Sequence, residues 1–146
     1  MKTKTIEQLL SILPKNQTIE SDISGLFFYC ADRPRETISY IQEPSICVVL
    51  QGTREIYLGS DCQQFDDSSL MFCPVNIPIS MHIKHATVEK PVIVLSMKLN
   101  LALIREVMVQ IPPQKNADHG HLGIKWSLED AILVAFERLI DLLNYP

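Results

Sequence analysis

Four histidines and four cysteines are the residues in this chain best suited to holding a metal or acting as a nucleophile. His82, His85 and Glu89 fall near one strand-like stretch, but residues three apart on a strand point to opposite faces, so His82 and His85 cannot readily share an ion. His119 and His121, beside Asp118, lie two apart in a polar loop and read as surface residues. Cys30, Cys47, Cys62 and Cys73 contain no C-x-x-C pair and no assignable histidine partner, which fits small buried hydrophobes in a reducing cytoplasm. No nucleophile elbow and no glycine-rich phosphate loop is present. The residues therefore point to no catalytic group, no metal site and no cofactor.

The elements that would position any site are mostly short strands. Residues 44–59, PSICVVLQGTREIYLG, hold an apolar run from Ile46 to Leu50 that fits a strand buried on both faces, a turn at Gln51, Gly52 and Thr53, and an alternating strand from Arg54 to Leu58. Read as a hairpin, this pairing puts Ile46, Val48 and Leu50 on one face with Ile56 and Leu58, and Cys47, Val49 and Tyr57 on the other. Further strands are expected at 18–23, 25–31, 37–42, 62–65, 70–73, 77–84 and 92–99, with Pro78 making the start of 77–84 an edge. About eight strands at turn-marked intervals indicate a sandwich or barrel.

Helices flank the strands. Ile6, Leu9, Leu10 and Leu13 share a helical face that Pro14 ends. Asn100 would cap a helix carrying Leu101, Ile104, Val107, Met108 and Ile111, and Ser127 with Asp130 would open another reaching Leu143. The chain divides into 1–99, a helix and β-barrel, and 100–146, a helical segment. With 13 basic and 17 acidic side chains among 146 residues and a net charge of −4, it lacks the basic excess that duplex DNA requires. No run of eighteen apolar residues is present to span a membrane, and no export signal is recognisable, so a cytoplasmic location is expected.

The ordered series PSICVVLQG, REIYLG, FDDSSLMFCPVNIPIS and KPVIVLSMKL resembles the N-terminal effector domain of AraC-type transcription regulators. Gln51, Gly52, Arg54, Leu58, Gly59, Phe65, Asp66, Pro74 and Pro78 carry the likeness, and FERLIDLLNYP resembles the linker before that family's DNA-binding domain. The resemblance implies a mainly β fold, a cupin-like jelly-roll β-barrel with a C-terminal helix pair. It also implies a small organic effector and a helix-turn-helix DNA-binding domain beyond Pro146. Where a cupin-type metal cluster would fall, from Arg54 to Phe65, there is no histidine. A small cupin-type enzyme and a purely structural interaction module remain the alternatives.

Effector-wall candidates are Tyr40, Cys47 and Tyr57, with Cys30 behind them. On the last helix Leu128, Ile132, Ala135, Leu139 and Leu142 follow a 4-3-4-3 spacing suited to a homodimer seam, leaving Leu133, Phe136, Ile140 and Leu143 for the barrel.

Overall fold

The computed structural model describes residues 3–100, 102, 105, 106, 109 and 125–143. In chain order the elements are α1 (Thr3–Ile12), β1 (Gln17–Glu20), β2 (Leu26–Ala31), β3 (Arg35–Gln42), β4 (Ser45–Gln51), β5 (Arg54–Leu58), β6 (Asp61–Phe65), β7 (Ser69–Cys73), β8 (Ile77–Ile83), β9 (Val92–Lys98), β10 (Lys125–Ser127) and α2 (Asp130–Leu143). One sheet runs β1-β2-β9-β4-β7-β10 and the other β3-β8-β5-β6. The fold is mainly β, cupin-like, with flanking helices.

Strand β4 is central, between β9 and β7, as its continuous apolar run requires. Strand β5 does not pair with it. It joins β6 and β8 in the opposite sheet, so the 44–59 stretch is a corner between sheets and the hairpin expected there does not form. The face assignment changes with it: Cys47 and Val49 share the core between the sheets with Ile56, while Val48 and Leu50 lie in a second core outside. Period-two alternation is the same for a hairpin and for a corner, because both keep side chains alternating along each strand.

Gly52 makes the corner possible. Its φ is +87°, and a Cβ there would lie 2.7 Å from Val92 Cγ2 and 3.2 Å from the Val92 Cα. Beside it the Gln51 amide donates to the Pro91 carbonyl at 2.7 Å, tying the corner to the start of β9.

Alternate residues of β4 and β9 supply the two cores. Cys47, Val49, Val92 and Val94 face inward toward Phe65, Ile79 and Ile83, whereas Val48, Leu50, Ile93 and Leu95 face outward. The outer layer is closed by Ile6, Leu9 and Leu13 from the α1 segment and by Phe136 and Ile140 from α2. Each such side chain contributes roughly 1.5–3 kcal/mol of burial, more than the intrinsic propensity of a helix as short as α1 could supply, so α1 depends on the sheet beneath it. The Lys15 ammonium donates to the Leu10 carbonyl at 3.2 Å, satisfying one acceptor at the end of α1.

Strand β8 pairs with β3 along its length but with β5 only at Ser80, Met81 and His82, so Pro78 has a strand on one side alone, as expected from its missing N–H. Strand β10, in a stretch expected to be a loop, pairs with β7 through only three residues, too few for a recognisable alternation. Of the helix expected after Asn100, Ala102, Arg105, Glu106 and Val109 are helical; Leu101, Ile104, Val107, Met108 and Ile111 lie outside the described residues.

Gly52→Ala is expected to destabilise the domain by about 2–4 kcal/mol, the sum of a left-handed backbone and an overpacked contact. Urea unfolding should show a lower midpoint with an unchanged slope. An unchanged midpoint would show that the corner tolerates a side chain.

Candidate functional site

The two sheets do not close on one another everywhere. Between β1 and β2 on one side and β3 on the other lies a cavity of about 420 Å³, within the usual range for small-ligand sites. Inward residues of one sheet, Phe27, Tyr29, Cys47, Val94 and Ser96, form one wall; Arg35, Ile38, Tyr40, Gln42, Arg54 and Met81 from the other form the second. Asn16, Gln17 and Thr18 edge it where β1 begins. Two arginines and no carboxylate are among the lining residues, although the whole chain is acidic.

Strand alternation places these side chains. Ile38, Tyr40 and Gln42 are alternate residues of β3, paired with Met81, Ile79 and Ile77 of β8. Arg54 opens β5 immediately after the Gly52 corner, in phase with the fully buried Ile56, and is itself only 5% exposed. Its Nη1 lies 3.7 Å from the Met81 sulfur, and its Nε finds no hydrogen-bond partner. Among the described residues it forms no salt bridge.

The Tyr29 hydroxyl is buried and equally without a partner. Burial raises its pKa, with the Arg35 charge acting in the opposite direction. Burial likewise raises the Tyr40 hydroxyl, offset in part by Arg54. Both phenols therefore stay protonated and able to donate a hydrogen bond. The Cys47 thiol is fenced by the Gln42 amide and the Ser45 hydroxyl, each at 3.8 Å. Burial pushes neighbouring Cys73 up to about 12, so no activated thiolate forms there.

Of the four effector-wall candidates, Tyr40 and Cys47 meet in this cavity. Cys30 instead faces the outer core with Phe28 and Leu95, on the helix side of the sheet. Tyr57 also lies elsewhere, because β5 belongs to the second sheet and its odd-numbered residues point away from the barrel. There the Tyr57 hydroxyl donates to Glu55 Oε2 at 2.8 Å, and the Lys84 ammonium pairs with Glu55 Oε1 at 2.9 Å. Arg54 was missed as a site residue although its signal is visible: a cation in phase with an apolar, core-facing position is a charge aimed inward.

The metal-capable groups do not converge. His82 sits across from Glu55 in the sheet register and His85 is exposed, while His119 and His121 lie outside the described residues. Among the described residues no group of three His, Cys, Asp or Glu side chains could hold an ion.

The apolar arc of α2 is divided. Phe136 and Ile140 are buried against the sheet, with Leu143, Ile132 and Leu139 packed partly beside them. Ala135 is exposed and Leu142 is 63% exposed. Leu128 precedes the helix, and its N–H donates to the Ser68 carbonyl at 3.0 Å.

A barrel of two facing sheets with a partly open, largely apolar cavity and a helix packed on its outer face has the cupin-like architecture. The chain matches the AraC-type transcriptional regulator N-terminus over residues 22–146, and it belongs to that family. Its fold is similar to ToxT from Vibrio cholerae, with a TM-score of 0.58 at 13% identity, covering 83% of this chain and 47% of that one. It is also similar to wild-type ToxT from Vibrio cholerae solved with an unsaturated fatty acid bound, with a TM-score of 0.52 at 7% identity, covering 84% of this chain and 48% of that one. The chain thus spans about half the length of these structures. No curated protein sequence matches it.

Outside the cavity, Lys84, through its hydrogen bond, and then Tyr57 hold the Glu55 carboxyl down to about 2. A carboxyl depressed from 4.5 stabilises the fold fully above that value and loses the contribution as pH falls toward 2. Carboxyl-carbon NMR should find the Glu55 midpoint near 2, and Lys84→Met should move it upward; a midpoint unaffected by that substitution would mean the ion pair is absent in solution.

Proposed function

We propose that this chain is the effector-sensing and dimerising part of an AraC-type transcription regulator, and that its inter-sheet cavity receives a small organic effector. The observation that carries the reading is the cavity itself: about 420 Å³, bounded by Tyr40 and Cys47, within a regulator family. The fatty acid held by ToxT, a protein of similar fold, supports a ligand with apolar surface. Control of transcription would pass to a DNA-binding domain outside this chain, in the cytoplasm.

The path outward is short. Cys47 on the cavity wall and Val48 in the outer core are consecutive residues of β4, and α2 packs on that outer core. A ligand that displaces β4 by a few tenths of an ångström changes the surface on which α2 rests. Ala135 and Leu142, on the flank of α2 away from the sheet, would then provide the homodimer contact, with Ile132 and Leu139 behind them and Leu128 fixing the helix start.

The enzyme alternative would draw support from a converging set of catalytic groups; the residues lining the described cavity include no carboxylate and no histidine.

Cys47→Phe, which fills the cavity from its wall, is expected to weaken binding of an environment-sensitive apolar fluorophore at least tenfold and to fix transcription by the intact regulator at one level. Tyr57→Phe, outside the barrel, should change neither. Equal fluorophore binding by the Cys47 variant and wild type would remove the cavity as the effector site. For the dimer, sedimentation at tens of micromolar should show association that Leu142→Glu abolishes without lowering the melting temperature. A monomeric wild type, or a dimeric variant, would exclude this face.

A further inference from the structure

The cavity is built for a particular charge. Arg54 carries a guanidinium, yet it is 95% buried and no carboxylate among the described residues pairs with it. One of its donors faces a methionine sulfur, a weak acceptor, and its Nε faces no acceptor. A buried charge without a counter-ion is among the costliest arrangements in a protein, and such groups are ordinarily paired or placed where a ligand pairs them. Arg54 lines the cavity, and so does Tyr29, whose hydroxyl is the second buried polar group left unmatched there.

The sheet register extends the pattern. Arg35 pairs with Ile83 on one side of β8, and Glu55 pairs with His82 on the other, so Arg54 stands level with Ile83. The two arginines therefore begin two strands apart, at a backbone separation of about 10 Å, on the inner face that carries Ile83. With no acidic residue in the lining, their positive potential inside the cavity is opposed by nothing in its walls.

Resting on the reading of this cavity as the effector site, we propose that its ligand is an organic carboxylate, with the anionic head held by Arg54 and the apolar body along Phe27, Val94 and Met81. A carboxylate accepts two parallel bonds from a guanidinium, which here would satisfy the orphan Nε together with one terminal nitrogen. Tyr29 remains as a neutral donor for a second oxygen atom, and Arg35, half-buried on the same inner face, adds to the field that draws an anion in. Neutral ligands of the same shape leave the buried charge unmatched and bind correspondingly worse.

The test uses the purified chain and two matched series of probes: straight-chain and phenyl-terminated carboxylates of four to ten carbons, and their primary amides. Thermal unfolding should shift upward with at least one acid at millimolar concentration, and its amide should need at least tenfold more for the same shift. Arg54→Met should abolish that preference while leaving the unliganded melting temperature equal or higher, since it removes a charge that nothing matches. Arg54→Lys should retain part of it. If amides match acids, or Arg54→Met still prefers the acid, the anion assignment falls and the effector cavity survives. Should neither series shift unfolding nor displace the bound fluorophore, the effector reading falls with it. The wild-type comparison of acid with amide decides the question even if the methionine variant does not fold.

Discussion

The close approach of Gly52 to Val92 is the contact on which the architecture turns. A chain leaving the centre of one sheet must enter the opposite sheet within two residues, and it can do so only where backbone presses on the start of β9 with no side chain between. Three consequences follow from the one corner. Strand β4 keeps both faces buried; β5 begins across the barrel from it; and the first residue of β5 to point inward is an arginine. At position 55 its charge would have lain on the outer face of the sheet, near Tyr57 and Lys84.

The two cores respond differently to change. The outer core is a layer of aliphatic and aromatic side chains between sheet and helices, where loss of one methylene leaves a void that neighbours fill only partly. The inner core is densely packed beneath β6 and β7 through Phe65, Met71 and Cys73, and opens toward β1 and β3. The same pair of facing sheets thus serves as ordinary packing at one end and as a container at the other. Edge strands bound the open end, β1 in one sheet and β3 in the other, where fewer ladder hydrogen bonds resist a small displacement.

Much of this was legible in the residues. The positions of β2 to β9, the buried centre at β4 and β9 and the supporting role of α1 follow from apolar periodicity, which reports burial directly. The two stripes expected on the last helix do not separate, since Leu128, Ile132 and Leu139 of the expected seam pack on the same core as Phe136 and Ile140. Partnership between strands was not legible, because a hairpin and a corner between sheets leave the same alternation; the expected pairing of β4 with β5 failed for that reason, and Tyr57 was carried to the wrong side with it. Tyr40 and Cys47 line the cavity, although alternation alone left open which face of each strand was the lumen. Cys30 misled because an apolar run such as LFFYCA has two buried faces and does not say which is the lumen. Arg54 was overlooked because an arginine in a strand ordinarily marks the solvated face, and only its phase relative to Ile56 shows otherwise.

The ladder between β4 and β9 contains one irregularity, between Val49 and Gln51, just before the corner. A bulge at that point is where an extra residue leaves a regular ladder without forcing the strand beyond it out of step. Everywhere else along β4 a single inserted or deleted residue would exchange the two cores wholesale, sending Cys47 and Val49 to the helices and Val48 and Leu50 into the cavity. Tolerance of length variation along this strand is therefore confined to its last three residues. The spacing from Ser45 to Val49 is under a stricter constraint than the identity of any one residue within it.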